Sequence, residues 1–174
     1  MISRRTFLLT STVGVGAAVA LGPLGTSLAQ MPPAGNGVFE ITRTEAEWRA
    51  LLTPAQFAIL RHEGTEYSFT NTLLGETSDL LHEDREGIYS CAGCDLPVYS
   101  SEHKYDSRTG WPSFWIAIDD AVRTKEDPRI PPGQGVEVHC RRCGGHLGHI
   151  FVDGPPPTFR RHCINGLALT FEAA

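Results

Sequence analysis

The stretch VHCRRCGGHLGHIFV, residues 138–152, decides the fold because a cysteine knuckle in it separates two short apolar runs. Cys140 and Cys143 are spaced Cys-x-x-Cys and are followed by two glycines, which favour a tight turn. Short apolar runs bounded by turns are typical of strands. We therefore predict two strands joined by a turn that presents both thiols.

A second Cys-x-x-Cys pair lies upstream, so the chain holds two such knuckles. Together Cys91, Cys94, Cys140 and Cys143 supply four thiolates, the complete tetrahedral ligand set of a structural zinc. One Zn²⁺ held in this way would tie together two strand–turn units that are distant in sequence. A single pair could instead be a dithiol redox centre or simply pack, but two pairs bounded by turn residues favour zinc.

The rest of the chain predicts a mainly β domain that follows short helices. Thr44 and Thr53 each begin a capping box, with Glu47 and Gln56 three residues later, and predict two helix starts. Short apolar runs predict antiparallel strands at 88–89, 97–99, 114–118, 136–138, 150–152 and 167–171. Residues 119–135, which are charged and contain three prolines, are expected to form an irregular surface loop.

At 174 residues the chain has room for one domain.

The N-terminal segment predicts export. Arg4 and Arg5 precede an apolar stretch that ends in small residues, so residues 1–29 are interpreted as a twin-arginine signal peptide and 30–43 as a flexible lead. We expect delivery to the bacterial periplasm and no stable membrane association after cleavage. The alternative is an uncleaved anchor, since the stretch is about long enough to span a bilayer.

The charge balance argues against a nucleic-acid partner. Without Arg4 and Arg5 the chain keeps 13 of its 15 basic residues against 20 acidic ones, which gives a net charge near −7. Binding to phosphates needs a basic face, so we expect no association with nucleic acid.

The fifth cysteine, Cys163, is left over once four thiols bind zinc. It follows Arg160, Arg161 and His162, and cations beside a thiol stabilise the thiolate, which is the nucleophilic form. In a strand Arg161, Cys163 and Asn165 point to one face, so a guanidinium, a thiol and an amide would act together. We predict a catalytic thiol here; the alternative is a buried cysteine that only packs.

Two histidines and a tryptophan are further candidates. His146 and His149 lie three residues apart among glycines, and four cysteines already fill the metal site. Acid–base or hydrogen-bonding roles are therefore favoured over metal binding or a structural role. Trp111 lies in a turn between a glycine and a proline, where its ring can hold a small apolar group such as a methyl; a place in the core is the alternative.

Taken in order, these segments resemble the methionine-R-sulfoxide reductases, the B-type methionine sulfoxide reductases, from about Thr44 to Phe171. The motifs that carry the resemblance are EW at 47–48, RHEGTE at 61–66, IYSCAGC at 88–94, KYDS at 104–107, GWPSF at 110–114, HLGH at 146–149, DGP at 153–155 and RHCIN at 161–165. The resemblance implies a domain over 44–174 with two antiparallel sheets, sandwich- or barrel-like, and short N-terminal helices. It also implies a zinc away from the active site.

The resemblance assigns roles to individual residues. Cys163 matches the nucleophile that attacks the sulfoxide sulfur, which releases methionine and leaves a cysteine sulfenic acid. His146, His149 and Asn165 match residues that bind or protonate the sulfoxide oxygen, a poor leaving group without an acid. Trp111 matches the wall that holds the substrate methyl.

The same family resemblance bears on the charge beside Cys163 and on the source of the reducing thiol. Arg161 matches a basic residue near the thiolate, and Asp153 is expected to orient it through a charge-assisted bond. Three positions depart from the family pattern, since Thr109 replaces a resolving cysteine, Phe159 a glycine and Gly166 a serine. An external thiol, from a thioredoxin-like partner or a small molecule, must then reduce the sulfenic acid. The expected substrates are oxidised proteins.

Two other functions stay open on the sequence. A zinc-ribbon-like binding module or thiol redox sensor would oxidise Cys163 as a signal and would not turn over methionine sulfoxide. A zinc-dependent hydrolase or deaminase is weaker, because four cysteines leave the metal no open position and the His-x-Glu partner of such a knuckle is lacking.

Overall fold

The computed structural model describes residues 32–33 and 35–174, so the predicted signal peptide, residues 1–29, lies outside the described residues. In the described part, two α-helices precede eleven short strands. The elements are α1 (Glu45–Leu51), α2 (Pro54–His62), β1 (Thr72–Leu73), β2 (Glu76–Thr77), β3 (Gly87–Cys91), β4 (Pro97–Ser100), β5 (Lys104–Tyr105), β6 (Ser113–Phe114), β7 (Val122–Lys125), β8 (Gly135–Cys140), β9 (His146–Phe151), β10 (Arg161–Ile164) and β11 (Leu169–Ala173). Among these residues no helix is both long and apolar enough to cross a bilayer.

Both helices begin at the predicted capping boxes. The Thr44 hydroxyl accepts a hydrogen bond from the amide of Glu47, whose carboxylate accepts one from the amide of Thr44 in return. Thr53 and Gln56 repeat this exchange at the start of α2. The two helices then bury an apolar side that includes Trp48, so the predicted helix starts are confirmed.

The strands form three antiparallel sheets. The largest has six strands in the order β5-β6-β10-β9-β8-β7, the second has the order β11-β3-β4, and β1 pairs with β2 in a separate hairpin. The predicted mainly β fold with short helices is confirmed. The small hairpin β1–β2 is an addition that the sequence patterns did not predict.

Aromatic rings join the two larger sheets. Tyr89 of β3 and Tyr99 of β4 pack against Phe114 of β6, with ring centroids 5.0 and 4.4 Å apart respectively. All three side chains are fully buried. Aromatic pairs at these distances add to the free energy gained from burial, so this contact holds the layers together.

Two sequence predictions about loops and strands were wrong in part. Residues 119–135 are not wholly irregular, because they contain β7, which pairs with β8. Val122 and Thr124 are buried while Arg123 and Lys125 alternate with them, and this period of two is hidden by the charges and prolines around it. The predicted strand at 114–118 exists only at its first residue.

The lead before α1 lies along β7. The amide of Thr124 donates to the carbonyl of Pro33 at 3.0 Å, and the amide of Gly35 donates to the carbonyl of Thr124 at 2.8 Å. The Thr124 hydroxyl donates to the carbonyl of Pro32 at 3.0 Å. These bonds join the lead to the edge of the six-stranded sheet.

Candidate active site and metal centre

The four knuckle cysteines meet in one cluster. Their sulfur atoms all lie within 4.8 Å of one another, with Cys91 and Cys143 3.7 Å apart and Cys94 and Cys140 3.5 Å apart. A tetrahedral zinc with bonds of about 2.3 Å places its sulfurs about 3.8 Å apart, so the spacing fits. Three of the cysteines are buried and Cys94 is half-buried. The donor set and its enclosure suit a closed metal site.

The cluster also joins the two larger sheets. Cys91 is the last residue of β3, and Cys140 is the last residue of β8. Glycines allow the close packing, since a Cβ at Gly145 would lie 3.0 Å from Leu60 of α2. A metal held here therefore fixes one end of both sheets and the helix that covers them.

The remaining thiol lies in the middle of the six-stranded sheet. Cys163 of β10 is paired with Ser113 of β6 on one side and with His149 of β9 on the other. Gly148 lets β9 approach closely, because a Cβ there would lie 2.1 Å from the carbonyl oxygen of Cys163. Arg161 lies two residues away and shares the outward face with the thiol.

An open cavity of about 300 Å³ lies over this face. Its wall includes Thr109, Trp111, His149, Arg161, Cys163 and Asn165. The structure thus brings five of the sequence-predicted site residues together with the threonine that replaces a resolving cysteine. His146 is not among the residues that line the cavity.

The electrostatics at Cys163 differ from the sequence expectation. Burial raises the pKa of the Cys163 thiol, although the charge of Arg161 and a contact with the Thr109 hydroxyl at 3.9 Å act in the other direction. His162 points into the core near the Tyr99 hydroxyl, and burial lowers its pKa to about 3, so it is neutral. The prediction that flanking cations favour the thiolate was therefore too simple, because only Arg161 faces the thiol.

A clamp fixes Arg161. Its guanidinium donates two hydrogen bonds to the carboxylate of Asp153, at 3.0 and 2.9 Å. The same guanidinium lies 4.4 Å from the centre of the Phe151 ring, a cation–π contact. These two contacts hold one positive charge at the side of the cavity, beside Cys163.

His149 is held by a carboxylate that the sequence analysis missed. Its Nε2 lies 2.7 Å from an oxygen of Asp127, and Arg129 donates to both oxygens of the same carboxylate. The bonds from Arg129 keep the pKa of Asp127 well below its usual range. Burial lowers the pKa of His149, while the bond to Asp127 opposes that shift. Asp127 escaped notice because it lies in the segment interpreted as an irregular loop.

His146 lies behind His149 rather than in the cavity. It is 1% exposed, its Nδ1 lies 2.9 Å from the carboxylate of Glu137, and its ring packs edge-on against His149 with centroids 5.4 Å apart. Burial acts to raise the pKa of Glu137, but His139 and His146 together hold it well below its usual range. In this position His146 contacts the cavity wall through His149.

Glu66 organises the opposite wall of the site and was also missed as a functional residue. Its buried carboxylate accepts hydrogen bonds from the Asn71 side chain at 2.8 Å and from the amides of residues 166–167 at 2.7 and 2.9 Å. Its own amide donates to the Asn165 side chain at 3.0 Å, and its carbonyl accepts from the Trp111 indole at 3.1 Å. Glu66 therefore orients both the side-chain amide of Asn165 and the indole of Trp111 in the cavity wall.

Comparison with known proteins gives matches over most of the chain. The SelR domain family matches residues 52–173. A "Peptide methionine sulfoxide reductase MsrB" from Methanosarcina barkeri is 44% identical over 133 residues, which cover 76% of this chain and 88% of that protein. A protein of the same name from Thiobacillus denitrificans is 48% identical over 131 residues, 75% of this chain and 93% of that protein. The chloroplastic "Peptide methionine sulfoxide reductase B2" of Arabidopsis thaliana is 45% identical over 133 residues, 75% of this chain and 61% of that protein.

Proposed function

The chain belongs to the SelR domain family, and on that premise we propose that it reduces the R epimer of methionine sulfoxide in oxidised proteins. It is an oxidoreductase that acts on sulfur, a peptide methionine sulfoxide reductase. The observation that carries the proposal is the thiol of Cys163 in the wall of a cavity that also presents an indole, an imidazole and a clamped guanidinium.

The chemistry follows from these groups. The Cys163 sulfur attacks the sulfoxide sulfur and forms an S–S bond. The oxygen then moves to the Cys163 sulfur as the S–S bond and the S–O bond of the substrate break, which leaves a thioether and a cysteine sulfenic acid. The substrate sulfur gains two electrons and Cys163 loses two. The oxygen needs a proton as its bond breaks, and the Cys163 thiol loses one as it attacks. His149 lines the cavity, and we propose that it takes up the thiol proton and passes it to the oxygen.

The other groups orient the reactants. The Trp111 indole is fixed because its N–H is bonded to Glu66, so the face of the ring is free to hold the methyl group of the sulfoxide. Arg161 offsets part of the cost of forming a half-buried thiolate. The side-chain amide of Asn165 accepts a hydrogen bond from the Glu66 amide and donates one to the Leu147 carbonyl. These two bonds to the backbone fix its position beside the thiol.

The cycle must be completed by thiols from outside. The side chain that approaches Cys163 at 3.9 Å is the hydroxyl of Thr109, which cannot form a disulfide. We propose that two external thiols, from a thioredoxin-like protein or a small molecule, convert the sulfenic acid back to a thiol and release water and a disulfide.

We also propose that the metal is zinc. Cys91, Cys94, Cys140 and Cys143 would hold it, and a bound Zn²⁺ would contribute to the stability of the fold. Four thiolates complete its coordination. The step at Cys163 is therefore assigned wholly to the residues around the cavity.

Export through the twin-arginine route to the periplasm is part of the proposal as well. Its support is Arg4 and Arg5 ahead of an apolar stretch within residues 1–29. A fusion of residues 1–35 to a reporter that needs this route would test it, with Arg4→Lys and Arg5→Lys together as the matched control.

The test of the reaction is epimer-resolved. A mixture of R and S sulfoxides of a methionine peptide is incubated with the full chain and dithiothreitol, and the products are separated by chromatography. We expect repeated turnover of the R epimer and no loss of the S epimer. A single stoichiometric oxidation of Cys163 without turnover would favour a redox sensor instead.

A further inference from the structure

An exposed aromatic ring stands in an unfavourable backbone conformation next to the cavity. Phe69 is 64% exposed and has a φ of 65°. For a residue with a bulky side chain this left-handed conformation costs about 1–2 kcal/mol. Because most of the ring is exposed, its burial does little to offset this free-energy cost. Phe159 shares this exposure and conformation, so the case for a role of Phe69 depends on its position beside the cavity.

The conformation is held by specific contacts. The amide of Phe69 donates to the carbonyl of Gly110 at 2.8 Å, and a Cβ on Gly110 would lie 2.5 Å from that amide. The buried side chain of Asn71 donates to the same carbonyl at 3.1 Å. Gly110 directly precedes Trp111, so the backbone of Phe69 is held beside a residue of the cavity wall.

Phe69 lines a groove that shares Trp111 with the cavity over Cys163. The groove has a volume of about 620 Å³, and its wall includes Phe69, Tyr105, Trp111 and Pro112. Trp111 lines both the groove and the cavity over Cys163. A chain whose oxidised methionine side chain enters the cavity can therefore extend along the groove.

Charges in the groove are already satisfied in part. Lys104 donates to the carbonyls of Leu81 and Glu83, and Arg85 forms two hydrogen bonds with the Glu83 carboxylate. Of the residues that line the groove, Phe69 is the large apolar side chain that is exposed to solvent. An apolar side chain is the chemistry that it would recognise.

We propose that this groove binds the polypeptide beside the oxidised methionine and that Phe69 selects substrates with a large apolar residue next to it. The inference rests on the proposed function and deepens it, since it names a class of sequence within the oxidised proteins. A free amino acid derivative would fill the cavity alone and would not reach Phe69.

Three substrates test the proposal with dithiothreitol as reductant: N-acetylmethionine-R-sulfoxide, a peptide with phenylalanine on both sides of the oxidised methionine, and the same peptide with serine instead. We expect the wild-type chain to favour the phenylalanine peptide over the serine peptide about tenfold in kcat/KM. In Phe69→Asn, which suits a positive φ, this ratio should fall to about one while the melting temperature does not fall.

Phe159→Asn is the matched control. Phe159 is also a phenylalanine, is 58% exposed and has a φ of 55°, but it lines neither the groove nor the cavity. Its substitution should leave the peptide ratio unchanged. An equal loss in both variants would overturn the proposal, and so would an unchanged ratio in Phe69→Asn.

Two further outcomes separate the proposals. A wild-type chain that reduces the N-acetyl compound but shows no preference between the peptides refutes the groove and leaves the proposed function intact. A chain that reduces none of the three refutes both. A loss in Phe69→Asn that appears only when thioredoxin replaces dithiothreitol would assign the groove to the reductant and overturn the substrate proposal.

Discussion

The two thiol sites of this protein use the same side chain in opposite ways. At one end of the sheets four cysteines lie within 4.8 Å of one another, and no coordination position is left for another ligand. In the middle of the six-stranded sheet Cys163 stands alone, facing a cavity and surrounded by a hydroxyl, an imidazole and a guanidinium. The neighbours of a cysteine, more than the residue itself, decide whether it holds the fold or reacts.

The difference extends to the way each site is supported. The cluster is built on two short turns, so its residues lie close together in pairs along the chain, and a bound metal would join the two pairs. The residues around the Cys163 thiol are held by hydrogen bonds from distant segments, such as those of Glu66 and Asp127. Substitutions should therefore separate stability from activity.

The largest effect is expected for Cys91→Ser, which removes one ligand of the cluster. Structural zinc contributes on the order of 10 kcal/mol to small metal-dependent folds, so the variant should lose both metal and cooperative unfolding. Metal analysis and circular dichroism during urea titration measure the two losses. A folded, metal-free and active variant would contradict the structural role of the cluster.

Cys163→Ser should instead lose activity and keep its stability and metal content. Serine has nearly the same shape but is a far weaker nucleophile, so turnover of the R epimer should fall at least about a thousandfold. Metal content and the urea midpoint should match those of the wild-type chain, because Cys163 lies outside the cluster. Retained turnover with dithiothreitol would remove Cys163 from its catalytic role.

The fold and the thiols were predictable because their signals are local. The capping boxes at Thr44 and Thr53 and the spacing of the knuckles can be read within a few residues. Strand β7 was hidden because its buried residues Val122 and Thr124 alternate with charged ones inside a segment rich in prolines. The charged residues and prolines of this segment concealed the alternation in β7, which is only four residues long.

The supporting residues of the site could not be predicted for a different reason. Glu66 bonds to residues that lie 99 to 101 positions away in sequence, apart from its nearer partners Asn71 and Trp111. No spacing rule connects such positions. A buried carboxylate also looks the same in sequence as an exposed one, so its importance emerges only from the packing.

Glu66→Gln tests how far the active cavity depends on that distant support. The carboxylate accepts three hydrogen bonds, and an amide in its place would point N–H groups at backbone N–H donors. We expect a loss of about 2–3 kcal/mol in the free energy of unfolding, with lower kcat and unchanged metal content. Glu45→Gln, at an exposed ion pair on α1, is the control and should cost less than about 0.5 kcal/mol. Loss of metal in Glu66→Gln would contradict the separation of the two sites.

The smallest effect concerns the charge beside the thiol. Burial raises the pKa of Cys163 and Arg161 lowers it, so Arg161→Met should raise it further. At a fixed pH below that pKa less thiolate is present, and alkylation of Cys163 by iodoacetamide should slow as the rate profile moves to higher pH. Peptide mapping by mass spectrometry follows Cys163 separately from the cluster. Arg160→Met is the matched control. Arg160 is adjacent in sequence to Arg161 and carries the same charge, yet it does not contribute to the pKa shift of Cys163. Equal shifts in both variants would mean that charge along the chain, rather than the face of the strand, sets the reactivity of this thiol.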